Sequence, residues 1–409
     1  MSPAPSDAQR TPNDPGELIF AAILNEAAPI ADMPAALDAE LAVSALLGGA
    51  YAVNDTDRPA AVDRFGTNFG RYLTTNHTRQ AGAVQAALAA VLPDPTLAPP
   101  GGESAPWAGE AGDVSCTGTW AARDGYGDQT SYVATFAYRD PDLGGPEHAV
   151  SYLLDHNLGI VKSIWIGVPA ERVINAWRAE AVGDPDITIS PVDAGQLQAE
   201  VTCYLSRTDQ LEDPPRDAYV EERAFAASRL MLLPSGEPIS VHRLSGLERD
   251  EVVAGFLASP EAASIGGPDS SPSANVVAWS ARAAVDFAVD DNAGDPLRWS
   301  PTAVELMLLD WAPRQLSASH DAAPWLPEVL AAFAGYAGRL RDQSASRLEA
   351  TQSAITEAAV RYTDLMTGDA LGEPVSDILA RMVADGVDPL DEDEVLEWVL
   401  ADRARRERD

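Results

Sequence analysis

The apolar residues of this chain change their period twice, and this limits the fold more than any other feature. From Glu17 to about Leu92 they recur at three- and four-residue spacing, as in Val84, Leu88, Val91 and Leu92, which marks one face of a helix. Between Val114 and Gly167 the spacing becomes alternating. Cys116–Trp120, Ser131–Tyr138, His148–Asp155 and Ile160–Ile166 read as four strands, joined by turn-forming stretches at Gly125–Asp128, Asp140–Gly145 and Asn157–Gly159. Connections this short join antiparallel neighbours, so the region is expected to be a meander. Apolar residues fall on both of its faces, which predicts helices covering the sheet on both sides.

After Pro169 the helical period returns, over 171–181, 195–206, 218–232 and 248–257. Further on, Ser300-Pro301 supplies an N-cap and a first-turn proline for a helix reaching Trp311. Leu326, Phe333 and Leu340 recur every seven residues, and Leu348, Ile355 and Tyr362 repeat the spacing, which predicts an αα-hairpin. The expected fold class is α+β and mostly helical, with one small antiparallel meander between an N-terminal helical block and a C-terminal helical bundle. The corresponding boundaries are a disordered leader (1–15), the N-terminal block (16–92), a linker (93–113), the meander with its following helices (114–258), a second linker (259–274) and the bundle (275–409).

Composition excludes several functions. The net charge of −35 repels phosphate backbones and anionic lipid surfaces, which argues against nucleic-acid and membrane partners. The one dense basic run, Arg403, Arg405, Arg406 and Arg408, is interleaved with acids and reads as a solvated helix end. No apolar run approaches the ~18 residues needed to cross a bilayer, and the N-terminus lacks a signal-peptide pattern, so a cytoplasmic location is expected. Cys116 and Cys203 lie too far apart in sequence to encode a redox pair or a zinc ribbon. Gly125-Tyr126-Gly127 lies between strands and is not a dinucleotide fingerprint. A P-loop, a Gly-x-Ser-x-Gly elbow and a His-Glu-x-x-His motif are all missing. Neither a metal nor a cofactor is expected.

Lys162 is the only lysine among 28 basic residues, and it lies in the segment richest in polar chemistry, Asp155-His156-Asn157-Leu158-Gly159 and the strand after it. A two-residue turn at Leu158-Gly159 would set Asp155 opposite Lys162, Leu153 opposite Ile164 and Tyr152 opposite Trp165. The simplest reading is a cross-strand ion pair at the mouth of a turn. The sharper one makes Asp155, His156 and Lys162 an acid–base cluster at a pocket rim, joined by Arg243 or Glu305. His148 and His156 are eight residues apart on one strand, about 26 Å, too far to share a metal ion. Trp279, Trp299, Trp311 and Trp325 read as core fillers rather than a ligand groove.

The Glu147-His148-Ala149 start and the Asp-His-Asn-Leu-Gly turn followed by Lys162 resemble a segment of uncharacterised proteins of high-GC actinobacteria. So do Leu37-Asp38-Ala39-Glu40-Leu41 with Leu46-Leu47-Gly48, and Val304–Trp311 with Leu326-Pro327. Those proteins carry an extra glycine after Gly159 and an acidic residue where Ser163 stands. The resemblance covers about a fifth of the chain and implies no activity. The expected function is that of a non-enzymatic interaction or regulatory protein acting through helix faces, with a protein partner. The alternative is a small-molecule enzyme or ligand-binding protein with a pocket between the meander and the C-terminal helices, using Asp155, His156 and Lys162.

Overall fold

A computed structural model describes residues 15–53, 57–92, 104–183, 186–216, 218–239, 244–267, 270–292, 294–316, 320–367, 381–385, 387, 394–395 and 398. Nearly all of the expected leader, part of the first linker, Arg243 and the basic tail lie outside the described residues. The chain divides into two compact units, one of Met1–Gly125 with Gln129–Ser240, the other of Tyr126–Asp128 with Val241–Asp409.

The first unit opens with helices α1 (Pro15–Ala27), α2 (Ala36–Ala52), α3 (Arg58–Thr74) and α4 (Arg79–Val91), with a 3-10 turn, Ala28–Asp32, after α1. Asp57 and Thr78 cap α3 and α4, accepting the backbone N–H groups of Ala60 and Ala81, both at 3.1 Å. Then come β1 (Val114–Arg123), β2 (Gln129–Tyr138), the short α5 (Pro141–Gly144), β3 (His148–Asp155), β4 (Ile160–Gly167), α6 (Ala170–Gly183), β5 (Thr188–Pro191), α7 (Ala194–Thr208) and α8 (Ala218–Leu230). The second unit contains α9 (Gly246–Leu257), α10 (Pro260–Ala263), α11 (Ala274–Asp286), α12 (Pro301–Glu305), α13 (Ala312–Gln315), α14 (Leu326–Leu340) and α15 (Ala345–Thr367). π-helical segments Phe287–Asp291 and Leu306–Trp311 extend α11 and α12.

The fold is α+β and 63% helical, and the described residues form one five-stranded antiparallel sheet in the order β4-β3-β2-β1-β5. Its four long strands are those read from the alternation. The fifth, β5, falls outside the expected 114–167 region and pairs with β1 from Trp120↔Pro191 to Arg123↔Thr188. Four residues with one apolar side chain, Ile189, carry no alternation; neighbouring β1 makes the segment a strand. The compact units part after residue 240, whereas the sequence placed linkers at 93–113 and 259–274. The core explains the difference: α1–α4 share one apolar cluster with β2, β3, α7 and α8, while Val253 and Phe256 of α9 belong to the core of the second unit. Trp299 is buried in that core and Trp279, Trp311 and Trp325 pack against it; α14 and α15 form the expected hairpin.

The β3–β4 register corrects the sequence reading. Asp155 pairs with Ile160, Tyr152 with Ile164 and Ser151 with Trp165, and a bulge leaves Lys162 without a Cα partner. The loop is four residues, His156–Gly159, closed by the Gly159 N–H on the Asp155 carbonyl at 2.8 Å, with Gly159 at φ 69°. An extra residue in a strand reverses the facing of everything beyond it. Ile164 therefore joins Tyr152, Leu154 and Val161 in the core, and Trp165, assigned by simple alternation to that face, is half exposed on the other. That other face meets α6, where Val133 and Ala149 pack on Ala170, Val173 and Ile174.

Two adjacent glycines in α2 have opposite surroundings. A Cβ on Gly48 would stand 2.7 Å from the Val220 carbonyl oxygen of α8, whereas one on Gly49 meets nothing within 4 Å. Gly48→Ala is expected to destabilise the protein by ~1–3 kcal/mol through overpacking. Gly49→Ala is expected to be neutral or to stabilise it by up to ~1 kcal/mol through helix propensity. Urea denaturation of the two variants beside the parent protein measures the contrast.

Candidate functional site

The hairpin side chains singled out in the sequence are held in separate local arrangements. Asp155 is buried, and its Oδ1 accepts the backbone N–H groups of Asn157 at 3.0 Å and Leu158 at 3.1 Å. Its Oδ2 lies 3.8 Å from Lys162 Nζ, whose side chain is 53% exposed. The ion pair therefore forms, although by way of the bulge and not by direct cross-strand pairing. His156 turns instead toward Thr130 Oγ1, 2.8 Å from Nε2, and Tyr204 Oη, 2.6 Å from Nδ1. Glu305 belongs to the second unit and is exposed.

His148 sits at the far end of β3 in a different environment. Its ring packs against Phe136, Tyr138 and Phe225, and its Nε2 accepts a hydrogen bond from Arg229 Nε at 3.3 Å. Burial and the adjacent guanidinium lower its pKa to about 3, so the ring is neutral with its proton on Nδ1. Among the described residues, no group of three or more His, Cys, Asp or Glu side chains converges as a metal site requires.

Arg229 is the centre of a polar cluster that sequence reasoning missed. Its guanidinium pairs with Glu40, donates to Tyr138 Oη at 2.8 Å and lies 4.2 Å from the Phe225 ring centroid. The other Glu40 oxygen accepts the Gly112 backbone N–H at 2.9 Å. Glu40 and Arg229 are fully buried. A second cluster joins Asp209, held bidentately by Arg223, to Tyr51 Oη at 2.9 Å. Arg58 closes the end of α7 beside it, donating to the carbonyls of Asp209, Leu211 and Glu212. A usable signal existed for Glu40. It stands three residues after Leu37 and seven before Leu47, on the apolar face of α2, where a charge needs a buried partner.

The first unit carries a mostly apolar concavity. It is a groove of about 800 Å³ between α1 with its 3-10 turn and α2, floored by Ala61 and Phe65 of α3. Ile23, Ile30 and Met33 form one wall; Ala42, Leu46, Gly49 and Val53 form the other. Among the described residues, Glu26 is the one charged residue lining it. A second, more polar cavity of about 600 Å³ shares Ala45 and Gly49 with the groove and reaches Arg58, Glu212, Asp213, Arg216 and Glu221. Neither cavity is lined by Asp155, His156 or Lys162. No protein-family model, curated protein or solved structure matches the chain.

Glu222 of α8 faces the outer edge of β4. Burial, with the neighbouring Glu221 charge, raises its pKa to about 7, against a weaker opposing influence of the nearby Ile166 backbone N–H. A carboxyl raised in the folded state binds a proton between pH 4.5 and 7 that the unfolded chain has lost, so it lowers stability at high pH and ceases to do so toward pH 4.5. Glu222→Gln is expected to be more stable than the parent at pH 8, the difference vanishing near pH 4.5; guanidinium titrations across that range read it. At the hairpin, Lys162→Met is expected to cost ~0–1 kcal/mol, because the lysine is half exposed. Asp155→Ala should cost more, ~1–3 kcal/mol, since the buried Asn157 N–H loses its acceptor; thermal melts of both variants rank them.

Proposed function

We propose that this chain is a non-enzymatic interaction protein whose binding face is the groove between α1 and α2. The observation that carries this reading is an apolar concavity of about 800 Å³ that the described residues wall with helices. Its size lies within the ~300–1,000 Å³ typical of ligand sites, and open apolar surface of this kind marks binding surfaces. α2 is apolar on both sides: one face packs in the core, while the other, through Ala42, Leu46 and Ala50, lines the groove. A helix apolar all round is stable when covered all round, and among the described residues this one is fully covered on one side.

The polar side chains available for catalysis support the same reading. Asp155 is engaged by a turn, His156 by Thr130 and Tyr204, and His148 is neutral in the core. An acid–base role for Asp155, His156 and Lys162 is the less supported alternative, since each already serves the local fold. The net charge of −35 favours a protein partner over a nucleic acid. Among the described residues no helix is long and apolar enough to cross a membrane.

The test is native-state binding of Nile red, an uncharged dye that fluoresces in apolar sites. The parent protein is expected to bind it saturably, and Gly49→Leu, which projects a side chain into the open groove, to abolish binding while leaving the melting temperature unchanged or higher. Equal fluorescence from parent and variant, or none from the parent, would remove the groove as the binding face.

A further inference from the structure

Resting on the groove reading above, the question is what fills it, and the distribution of charge identifies the class of occupant. Residues 15–53, which supply both walls, contain Glu17, Glu26, Asp32, Asp38 and Glu40 and no lysine, arginine or histidine. Glu40 is committed to Arg229 in the interior and Asp32 pairs with Arg79, which leaves Glu17, Glu26 and Asp38 as exposed acids of the wall helices. Past Ala45 and Gly49 the adjoining cavity adds Glu212, Asp213 and Glu221. Arg58 and Arg216 line the same cavity; Arg216 pairs with Asp213 at 2.7 Å, while Arg58, bonded to three neutral carbonyls, keeps its positive charge, so three acids against two arginines leave the cavity negative by one. The groove thus has an apolar floor and an acidic margin.

We propose that the groove takes an amphipathic α-helix of a partner protein, with its apolar stripe between α1 and α2 and basic residues along the acidic margin. The wall geometry suits a helix. α2 has 17 residues, about 25 Å of length. Its groove-lining positions Ala42, Ala45, Leu46, Gly49 and Ala50 follow three- and four-residue spacing, and all but Leu46 are small, which lets a second helix approach closely. The net charge of −35 steers a basic partner toward the protein and repels a second copy of the chain.

The experiment uses the full-length protein and two rhodamine-labelled helical peptides of about 18 residues. Both carry the same leucine stripe; one has lysines and the other glutamates on its polar face. Fluorescence anisotropy at physiological ionic strength is expected to show saturable one-to-one binding of the lysine peptide and at least about tenfold weaker binding of the glutamate peptide. Gly49→Leu, and independently Ala45→Leu, should each weaken the lysine peptide about tenfold or more with unchanged circular dichroism. Combined Glu26→Gln and Glu221→Gln should weaken it and flatten its salt dependence. Lysine-peptide binding that survives both plugging variants would place it on the general acidic surface and overturn the proposal. Equal binding of the two peptides would overturn the basic partner. If neither peptide binds while Nile red still does, the helical occupant is wrong and the groove reading stands; if Nile red also fails, both fall.

Discussion

The buried pairing of Glu40 with Arg229 is the constraint on which the first unit depends. Two charges are removed from water at one point, and the groups that hydrogen-bond them come from several distant parts of the chain. Arg229 reaches from α8 to α2, to Tyr138 on β2 and to His148 on β3; Glu40 also takes the backbone N–H of Gly112 ahead of β1. Removing either partner would strand a full charge in the core, a cost of ~3–5 kcal/mol. That is a large share of the ~5–15 kcal/mol by which a domain is normally stable. The pair therefore ties the N-terminal helices and the sheet into one cooperative body.

Around this pair the packing of α2 on α8 is close enough to involve backbone atoms. Ser44 Oγ donates to the Glu221 carbonyl at 2.6 Å and accepts the Phe225 N–H at 2.9 Å, and Gly48 lies against the Val220 carbonyl. One side of α2 is thereby fixed to α8 at a spacing that admits no side chain larger than hydrogen at position 48. The opposite side, carrying Gly49, is left open. The groove follows from this asymmetry: the core holds α2 firmly from one side, and the α1 wall stands off from the other.

The sheet manages its outer edge in the same economical way. The Val161 N–H of β4 is accepted by Thr208 of α7 at 2.8 Å. A helix side chain thus satisfies a backbone donor that an exposed edge would offer to another strand. The bulge at Lys162 adds a local twist at the same edge, and it places the one lysine of the chain on the outer face, where its charge stays hydrated.

How much of this was legible in the sequence depended on whether the signal was local. Helix and strand periods are properties of neighbouring residues, so the α+β class, the four long strands and the α14–α15 hairpin could be read directly. Asp155 beside Lys162 was also legible, because both lie within one hairpin. The bulge that flips Ile164 and Trp165, the short β5, the union of N-terminal helices with the sheet, and the Glu40–Arg229 and Asp209–Arg223 pairs were decided by tertiary structure. Glu40 and Arg229 are separated by 189 residues, and no local pattern specifies which distant partner a buried charge will find. The groove has the same origin. The sequence determined that α2 is apolar on more than one side; only the packing of α8 against Gly48 decided which side closes and which stays open.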